Sequence, residues 1–175
     1  MSRIRITGGE WRSRLIQVPD APGLRPTPDR VRETLFNWLG QDMTGLSCLD
    51  AFAGSGILGF DAASRGASRV VMLERDRKAY LALQTHAAQF ACERIEPICC
   101  DALKFAPAAG FDLLFLDPPY RQDWLQRIEP RLSILAKPDA RLYVEAEAPL
   151  TGLGRWRVTR QGRAGQVFYH LLEHA

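Results

Sequence analysis

Short apolar runs alternate with helical patterns along most of this chain, and that alternation constrains the fold more than any other feature. The runs predict buried strands at 47–53, 69–74, 95–100, 111–117 and 140–146. Apolar residues recur at helical spacing between them, at 56–65, 78–92 and 124–135. Strands that alternate with helices form a parallel sheet with right-handed crossovers. We therefore predict an α/β fold with a Rossmann-like, mostly parallel sheet.

The N-terminal residues follow a different pattern. Residues 3–18 alternate between polar and apolar around Gly8 and Gly9, which predicts a β-hairpin. A proline-rich linker follows and leads into a helix predicted from Asp29 to about Trp38. Thr27 is the predicted N-cap of that helix, with Pro28 at its first position.

The C-terminal residues also depart from the alternation, since 158–159 and 167–172 predict a closing hairpin and hence an antiparallel edge. The length of 175 residues suits one main domain, which we place at 29–175, with residues 1–28 as a hairpin-and-linker extension. No stretch of about 18 apolar residues and no signal-peptide core occurs, so we expect a cytoplasmic protein.

A glycine-rich loop joins the first predicted sheet strand to its helix. Gly54, Gly56 and Gly59 satisfy the pattern G-x-G-x-x-G, and Glu74 follows Gly54 by 20 positions. Glycines let a backbone approach a ligand closely, and an acid ending the next strand can bind ribose hydroxyls. The loop therefore indicates a cofactor that contains adenosine, which leaves both NAD and S-adenosylmethionine open.

Acidic residues at successive strand ends favour S-adenosylmethionine. Asp50 precedes the glycines, where its charge would oppose a pyrophosphate but suits an ammonium and a sulfonium. Asp101 follows the third sheet strand and is placed to accept a hydrogen bond from an adenine amino group. Open α/β sheets bind their ligands at these carboxyl ends.

The tetrapeptide Asp117-Pro118-Pro119-Tyr120 ends the fourth sheet strand. A planar exocyclic amine is a poor nucleophile because its lone pair is delocalised into the ring. The acceptor-only carboxylate of Asp117 and the backbone carbonyl of Pro118 could bind its two hydrogens and direct the lone pair at a methyl donor. Pro119 helps to fix the turn, and Tyr120 offers a ring on which a base can stack. The motif therefore predicts amine methylation that requires no metal.

Arginine is concentrated in two parts of the chain. Residues 1–40 hold seven arginines against four acids, which equals the net charge of +3 for the whole chain. A second cluster comprises Arg155, Arg157, Arg160 and Arg163. The clusters could be ordinary solvated faces, or the contact surface for a polyanion such as RNA.

Taken together, these motifs resemble class I methyltransferases that modify amino groups, and most closely the bacterial 16S rRNA guanine-N2 methyltransferases. The resemblance covers nearly the whole chain and is carried by 5–11, 24–39, 49–59 and 116–120, of which 24–39 is the most specific. It implies that residues 117–120 are catalytic and that S-adenosylmethionine is bound by Asp50, Phe52, Gly54, Gly56, Glu74, Asp101, Arg25 and Thr27.

The implied partner is 16S rRNA within the small ribosomal subunit or its assembly intermediate, and we expect a monomer. DNA adenine-N6 or protein-glutamine methylation uses the same amine chemistry and stays open, although the chain is short for a DNA target-recognition domain. The glycine loop would also suit a cofactor-binding protein without catalysis or an NAD oxidoreductase.

Overall fold

The computed structural model describes residues 2–18 and 26–175. Its strands are β1 (Ser2–Arg5), β2 (Leu15–Val18), β3 (Ser47–Asp50), β4 (Arg69–Leu73), β5 (Ile95–Ile98), β6 (Phe111–Leu116), β7 (Ala136–Ala146), β8 (Gly152–Leu153), β9 (Trp156–Ala164) and β10 (Val167–His174). Its helices are α1 (Asp29–Leu39), α2 (Ile57–Ser64), α3 (Arg77–Gln89), α4 (Trp124–Ile128) and α5 (Leu132–Leu135), with a 3-10 turn at Glu129–Arg131.

Eight of these strands form one sheet in the order β5-β4-β3-β6-β7-β10-β9-β8. The pairs from β5 to β7 are parallel, whereas β10 is antiparallel to both β7 and β9. The prediction of a mostly parallel sheet with an antiparallel C-terminal edge is therefore confirmed. The strand order reverses between β3 and β6, and α/β sheets bind ligands at such a point.

Helices cover both faces of the sheet, as the nearly uninterrupted apolar strands require. One core cluster joins α1, α2 and α3 to one face, and the other joins α4 and α5 to the opposite face. All eight residues of α2 are buried, because the N-terminal hairpin covers the side that faces away from the sheet.

The hairpin predicted for residues 3–18 is present as β1 and β2, paired in antiparallel register. Its buried side chains Ile4, Ile6, Trp11, Ile16 and Val18 belong to the same core cluster as α1 and α2. At the tip, Gly9 has φ +77°, and a Cβ there would lie 2.1 Å from the carbonyl oxygen of Ser64. Only glycine allows this close approach of hairpin to helix.

A buried ion cluster joins the hairpin to the helices. The side chain of Arg32 is fully buried and pairs with Asp61 of α2, while it also donates to the Arg5 carbonyl at 2.8 Å. Asp61 accepts further hydrogen bonds from Thr7 N at 2.9 Å and from Arg65 Nη1 at 2.7 Å. Arg32 is therefore structural, which corrects its assignment to the basic N-terminal surface.

Several predicted element boundaries differ from the structure. Pro28, rather than Thr27, is the N-cap residue of α1, and no side chain caps this helix. The strand predicted at 140–146, β7, begins at Ala136 instead, because a register shift lets Ala136 pair with Phe111 before Arg141 pairs with Leu113. In the described part of the chain, no helix is long and apolar enough to cross a membrane.

Candidate active site

The acidic residues predicted at strand ends lie along one edge of the sheet. Asp50 is the last residue of β3, Glu74 follows β4, and Asp117 follows β6. Because β3 pairs with both β4 and β6, Asp50 lies between the other two. Asp101 comes three residues after β5, since that strand ends at Ile98 rather than at residue 100.

The glycine loop is held in place by its neighbour on β4. Gly54 N donates to Glu74 Oε2 at 3.0 Å, and Ala53 N donates to the Leu73 carbonyl at 2.9 Å. Gly56 has φ +81°, and a Cβ there would lie 2.5 Å from Leu83 Cδ2. Glycine is therefore required at residue 56 by backbone conformation and by packing alike.

Asp50 is a buried carboxylate with one unsatisfied oxygen. Its Oδ2 accepts from Gly59 N at 3.3 Å, but its Oδ1 has no hydrogen-bond partner among the described residues. Burial, together with the nearby charges of Glu74 and Glu145, raises the pKa of Asp50 to about 7. A cationic group bound beside Asp50 would satisfy the free oxygen, so the site fits the ammonium of S-adenosylmethionine.

The acids assigned to ribose and adenine make local contacts with the backbone. Glu74 Oε1 accepts from Asp76 N at 3.0 Å, and Asp101 Oδ1 accepts from Leu103 N at 2.9 Å. Each carboxylate is half-buried and is therefore reachable by a ligand. These contacts fix the two side chains at the edge of the sheet.

The Asp-Pro-Pro-Tyr segment turns outward from the sheet. Asp117 and Pro118 are half-buried, Pro119 is exposed, and Tyr120 is 44% exposed. After it, Arg121 and Asp123 adopt positive φ angles of 67° and 52°, a left-handed conformation uncommon outside glycine. These two residues lead the chain into α4.

Phe52 connects the glycine loop to this segment. Its ring packs edge-on against Trp124, the first residue of α4, with centroids 5.5 Å apart. Trp124 is buried and also lies under the guanidinium groups of Arg75 and Arg127, at 5.1 and 4.4 Å. The loop assigned to the cofactor is thus packed against the start of α4, the helix that follows the Asp-Pro-Pro-Tyr segment.

A buried carboxylate that the sequence analysis missed, Glu145 of β7, lies beside Asp117. Glu145 Oε1 accepts from Tyr143 Oη at 2.6 Å and from Thr27 Oγ1 at 3.0 Å. Thr27 Oγ1 is also 3.4 Å from Asp117 Oδ2, so Thr27 contacts the catalytic motif instead of capping α1. The available signal was an acid within the otherwise apolar run 142–146 of β7. Arg25, assigned to the cofactor or target base, lies outside the described residues.

Burial raises the pKa of Asp117 well above its usual range, and the neighbouring charges of Glu145 and Asp50 raise it further. A hydrogen bond from Thr27 has the opposite, smaller effect. Because Thr27 Oγ1 lies 3.4 Å from Asp117 Oδ2 and 3.0 Å from Glu145 Oε1, the two carboxyl groups are neighbours. Two such groups side by side favour retention of one proton between them.

A small pocket of about 70 Å³ opens on the hairpin side of the glycine loop. Hairpin residues, loop residues and the first turns of α3 line it, and these are Gln17, Val18, Gly54, Ser55, Asp76, Lys78, Ala79, Ala82, Leu83 and His86. The strand-end acids Asp50 and Asp117 do not line it. The cavity therefore adjoins the loop and lies apart from these two acids.

The chain has close relatives along its whole length. A family model described as Conserved hypothetical protein 95 matches residues 4–173. The ribosomal RNA small subunit methyltransferase D of Escherichia coli (strain K12) is 40% identical and aligns over 98% of this chain and 90% of its own. The protein with the same name in Haemophilus influenzae is 39% identical, over 98% and 94%.

Solved structures show the same fold. A methyltransferase from Escherichia coli superimposes with a TM-score of 0.88 and 36% identity, covering 99% of this chain and 98% of that one. A 16S rRNA N2 methyltransferase from Thermus thermophilus, in complex with AdoMet and guanosine, superimposes with a TM-score of 0.77. It is 21% identical over 99% of this chain and 50% of that one, so this second likeness extends to the fold alone.

Proposed function

Because the chain belongs to the same family as the ribosomal RNA small subunit methyltransferase D proteins, we propose that it methylates the exocyclic N2 amine of a guanine in 16S rRNA. It is an S-adenosylmethionine-dependent methyltransferase of class I, as its relatives and its fold together establish. The observation that carries the choice of an amine is the position of Asp117 after β6, beside Asp50 after β3 across the point where the strand order reverses.

The bound cofactor supplies a methyl group attached to a positively charged sulfur. On the protein side, the free oxygen of Asp50 binds the ammonium of the cofactor, and the loop at Gly54 and Gly56 lies against its methionine end. Glu74 binds the ribose hydroxyls and Asp101 the adenine amino group. A positively charged ligand also offsets the electrostatic repulsion between the carboxylates of Asp50 and Asp117.

Asp117 and the carbonyl of Pro118 accept hydrogen bonds from the two amine hydrogens, so that the nitrogen lone pair is directed at the methyl group. The fixed turn supplies orientation, and aligned reactants recover about 7–11 kcal/mol of a bimolecular barrier. Tyr120 is exposed enough to stack on the target base, which contributes roughly 1–3 kcal/mol. The base must be unpaired or flipped out, because its amine is inaccessible within a stacked helix.

Exposed arginines near this edge of the sheet supply contacts to phosphates. On the hairpin, Arg3 pairs in register with Gln17, which lies beside the glycine loop. Arg14 lies over Phe90 at the far end of α3 and is therefore directed away from this edge. On β9, register places Gly162 across from Tyr169 of β10, which pairs with Glu145 of β7. Arg163 therefore lies at the catalytic end of the sheet, where two strand spacings, or about 10 Å, separate it from Glu145. Arg157 lies toward the opposite end.

The small subunit or its assembly intermediate in the cytoplasm is the proposed substrate, and the protein is proposed to act as a monomer.

Methyl transfer from labelled S-adenosylmethionine tests this proposal, with unmethylated small subunits, free 16S rRNA, DNA and protein offered in parallel. We expect label in rRNA and, after digestion, N2-methylguanosine at one position. Label confined to adenine, DNA or glutamine would favour the alternative amine substrates and contradict the proposal.

The variant Asp117→Ala tests the assigned chemistry. We expect it to lose methyl transfer by a factor of about 100 or more, because it removes an acceptor that orients the amine. It should still bind the cofactor in calorimetry, since Asp50 and the glycine loop are unchanged. Full turnover by the variant would refute the role of Asp117.

A further inference from the structure

Glu145 and Asp117 form a carboxyl pair whose surroundings distinguish its two members. Tyr143 and Thr27 both donate hydrogen bonds to Glu145 Oε1, at 2.6 and 3.0 Å. Asp117 receives only the longer contact of 3.4 Å from Thr27, and burial beside Glu145 raises the pKa of Asp117, so the protonated form of Asp117 is favoured.

The groups around this pair are acidic or neutral, and they come from four parts of the fold. They are Asp50 of β3, Tyr143 of β7, Tyr169 of β10 and Thr27 before α1. Arg32 reaches the backbone carbonyl of Thr27 at 2.9 Å, but its charge is already paired with Asp29 and Asp61. Within the described residues, no cation is among the groups that act on Asp117. The pair is therefore able to accept positive charge.

We propose that Glu145 is a positioning residue whose carboxylate, held against Asp117, makes Asp117 the acceptor of the proton that the amine loses on methylation. This inference rests on the amine methylation proposed above. Asp117 is the catalytic residue because it contacts the amine, and Glu145 acts through Asp117.

The transfer balances in atoms, electrons and charge. The amine nitrogen forms the new N–C bond with its lone pair, and the C–S bond breaks with its electron pair remaining on sulfur. The nitrogen then carries one proton too many, which passes to the carboxylate of Asp117 while the N–H electron pair returns to nitrogen. The loss of positive charge from sulfur is thus balanced by the proton that Asp117 gains, so the net charge of the site is the same before and after the reaction.

A titration of the free protein tests the first half of the proposal without any substrate. With carbon-13 in the carboxyl groups, the Asp117 signal, assigned by comparison with Asp117→Asn, should titrate well above the range of an ordinary aspartate. In Glu145→Gln, which keeps an oxygen for Tyr143 and Thr27, that midpoint should fall by about one pH unit or more. Glu147→Gln is the matched control: it removes an exposed charge two residues away and should leave the midpoint unchanged.

The pH dependence of methyl transfer tests the second half. In the wild type, kcat/KM should rise with pH as Asp117 loses its proton, and Glu145→Gln should shift this rise to lower pH. On the plateau the variant should be slower, by roughly tenfold or less, because a less basic carboxylate is a weaker acceptor. A purely structural role would lower the rate equally at every pH and would leave the midpoint in place.

An ordinary midpoint for Asp117 in the wild-type protein would overturn the inference even if the protein methylates guanine, and so would equal midpoints in the wild type and Glu145→Gln. If the wild type methylates no amine in any substrate, the proposed function fails and the proton role fails with it. The two failures are thus distinguishable.

Discussion

Replacing Asp50 by Asn separates the energetic cost of burying this carboxylate from its use at the cofactor site. Asp50 is 1% exposed, and its pKa of about 7 in the folded protein lies above the ordinary value of 3.8 that it has when unfolded. Between these values the folded state binds more protons than the unfolded state, so the free energy of unfolding falls as pH rises and levels off above pH 7. A difference of roughly three pH units, at about 1.4 kcal/mol each, corresponds to about 4 kcal/mol.

Asn has nearly the same shape as Asp and carries no charge, so Asp50→Asn should be more stable than the wild type above pH 7. Urea denaturation at about pH 8.5 should show most of those 4 kcal/mol, and at about pH 5.5 only about 2 kcal/mol, since the wild-type residue is then largely protonated. Calorimetry should meanwhile show S-adenosylmethionine binding weakened by about 10- to 100-fold, the contribution of a charged hydrogen bond.

Asp112→Asn is a control for which the change in the free energy of unfolding should have the opposite sign. Burial alone would raise the pKa of Asp112, but hydrogen bonds from Ser47 and Lys137 outweigh it and lower that pKa. Loss of this carboxylate should therefore reduce the free energy of unfolding at pH 8.5. The reasoning is refuted if Asp50→Asn is less stable than the wild type at pH 8.5, or if its advantage is the same at both pH values.

Three further substitutions test other parts of the structure. Asp61→Asn should lower the free energy of unfolding by about 3–5 kcal/mol in urea denaturation, because it removes the buried counter-ion of Arg32 and Arg65, whereas Glu96→Gln in an exposed ion pair should cost about 0–1 kcal/mol. Gly56→Ala should weaken cofactor binding at least tenfold in calorimetry, because the Cβ collides with the α3 side of the loop at a positive φ; unchanged affinity would contradict the assignment of the loop. Arg163→Gln should raise KM for the small subunit about threefold to tenfold and Arg157→Gln should change it less, since each phosphate contact contributes roughly 1 kcal/mol; equal effects would argue against the proposed orientation of the RNA.

The sheet and its acidic edge could be predicted because the signals are local. Each strand is a short apolar run, and a parallel sheet brings the carboxyl ends of such runs to one edge. The position of each acid after its run is thus sufficient to predict Asp50 and Asp117 at that edge, whereas their position on neighbouring strands follows from the reversal of strand order in the sheet. The glycine loop is equally local, since its spacing and its position between a strand and a helix are visible in ten residues.

The rest of the site depends on contacts between distant residues. Thr27 and Glu145 are 118 positions apart, and nothing in either segment identifies the other. The sequence indicates a basic surface for Arg32 because arginine is usually exposed, and only the position of Asp61 on α2 allows it to be buried. The early start of β7 is not predictable because Lys137, Pro138 and Asp139 have the composition of a turn.

The buried cluster around Arg32 has a consequence for the order in which the chain can fold during its synthesis. The hairpin emerges from the ribosome first, but the carboxylate that receives Thr7 N and Arg32 belongs to Asp61, which is made 54 and 29 residues later. A hairpin that docked earlier would enclose the guanidinium group of Arg32 without Asp61, its buried counter-ion, which is unfavourable. Attachment of the N-terminal segment and completion of α2 should therefore be one cooperative step, and a nascent chain that has not yet reached Asp61 should still expose its first 18 residues to proteases.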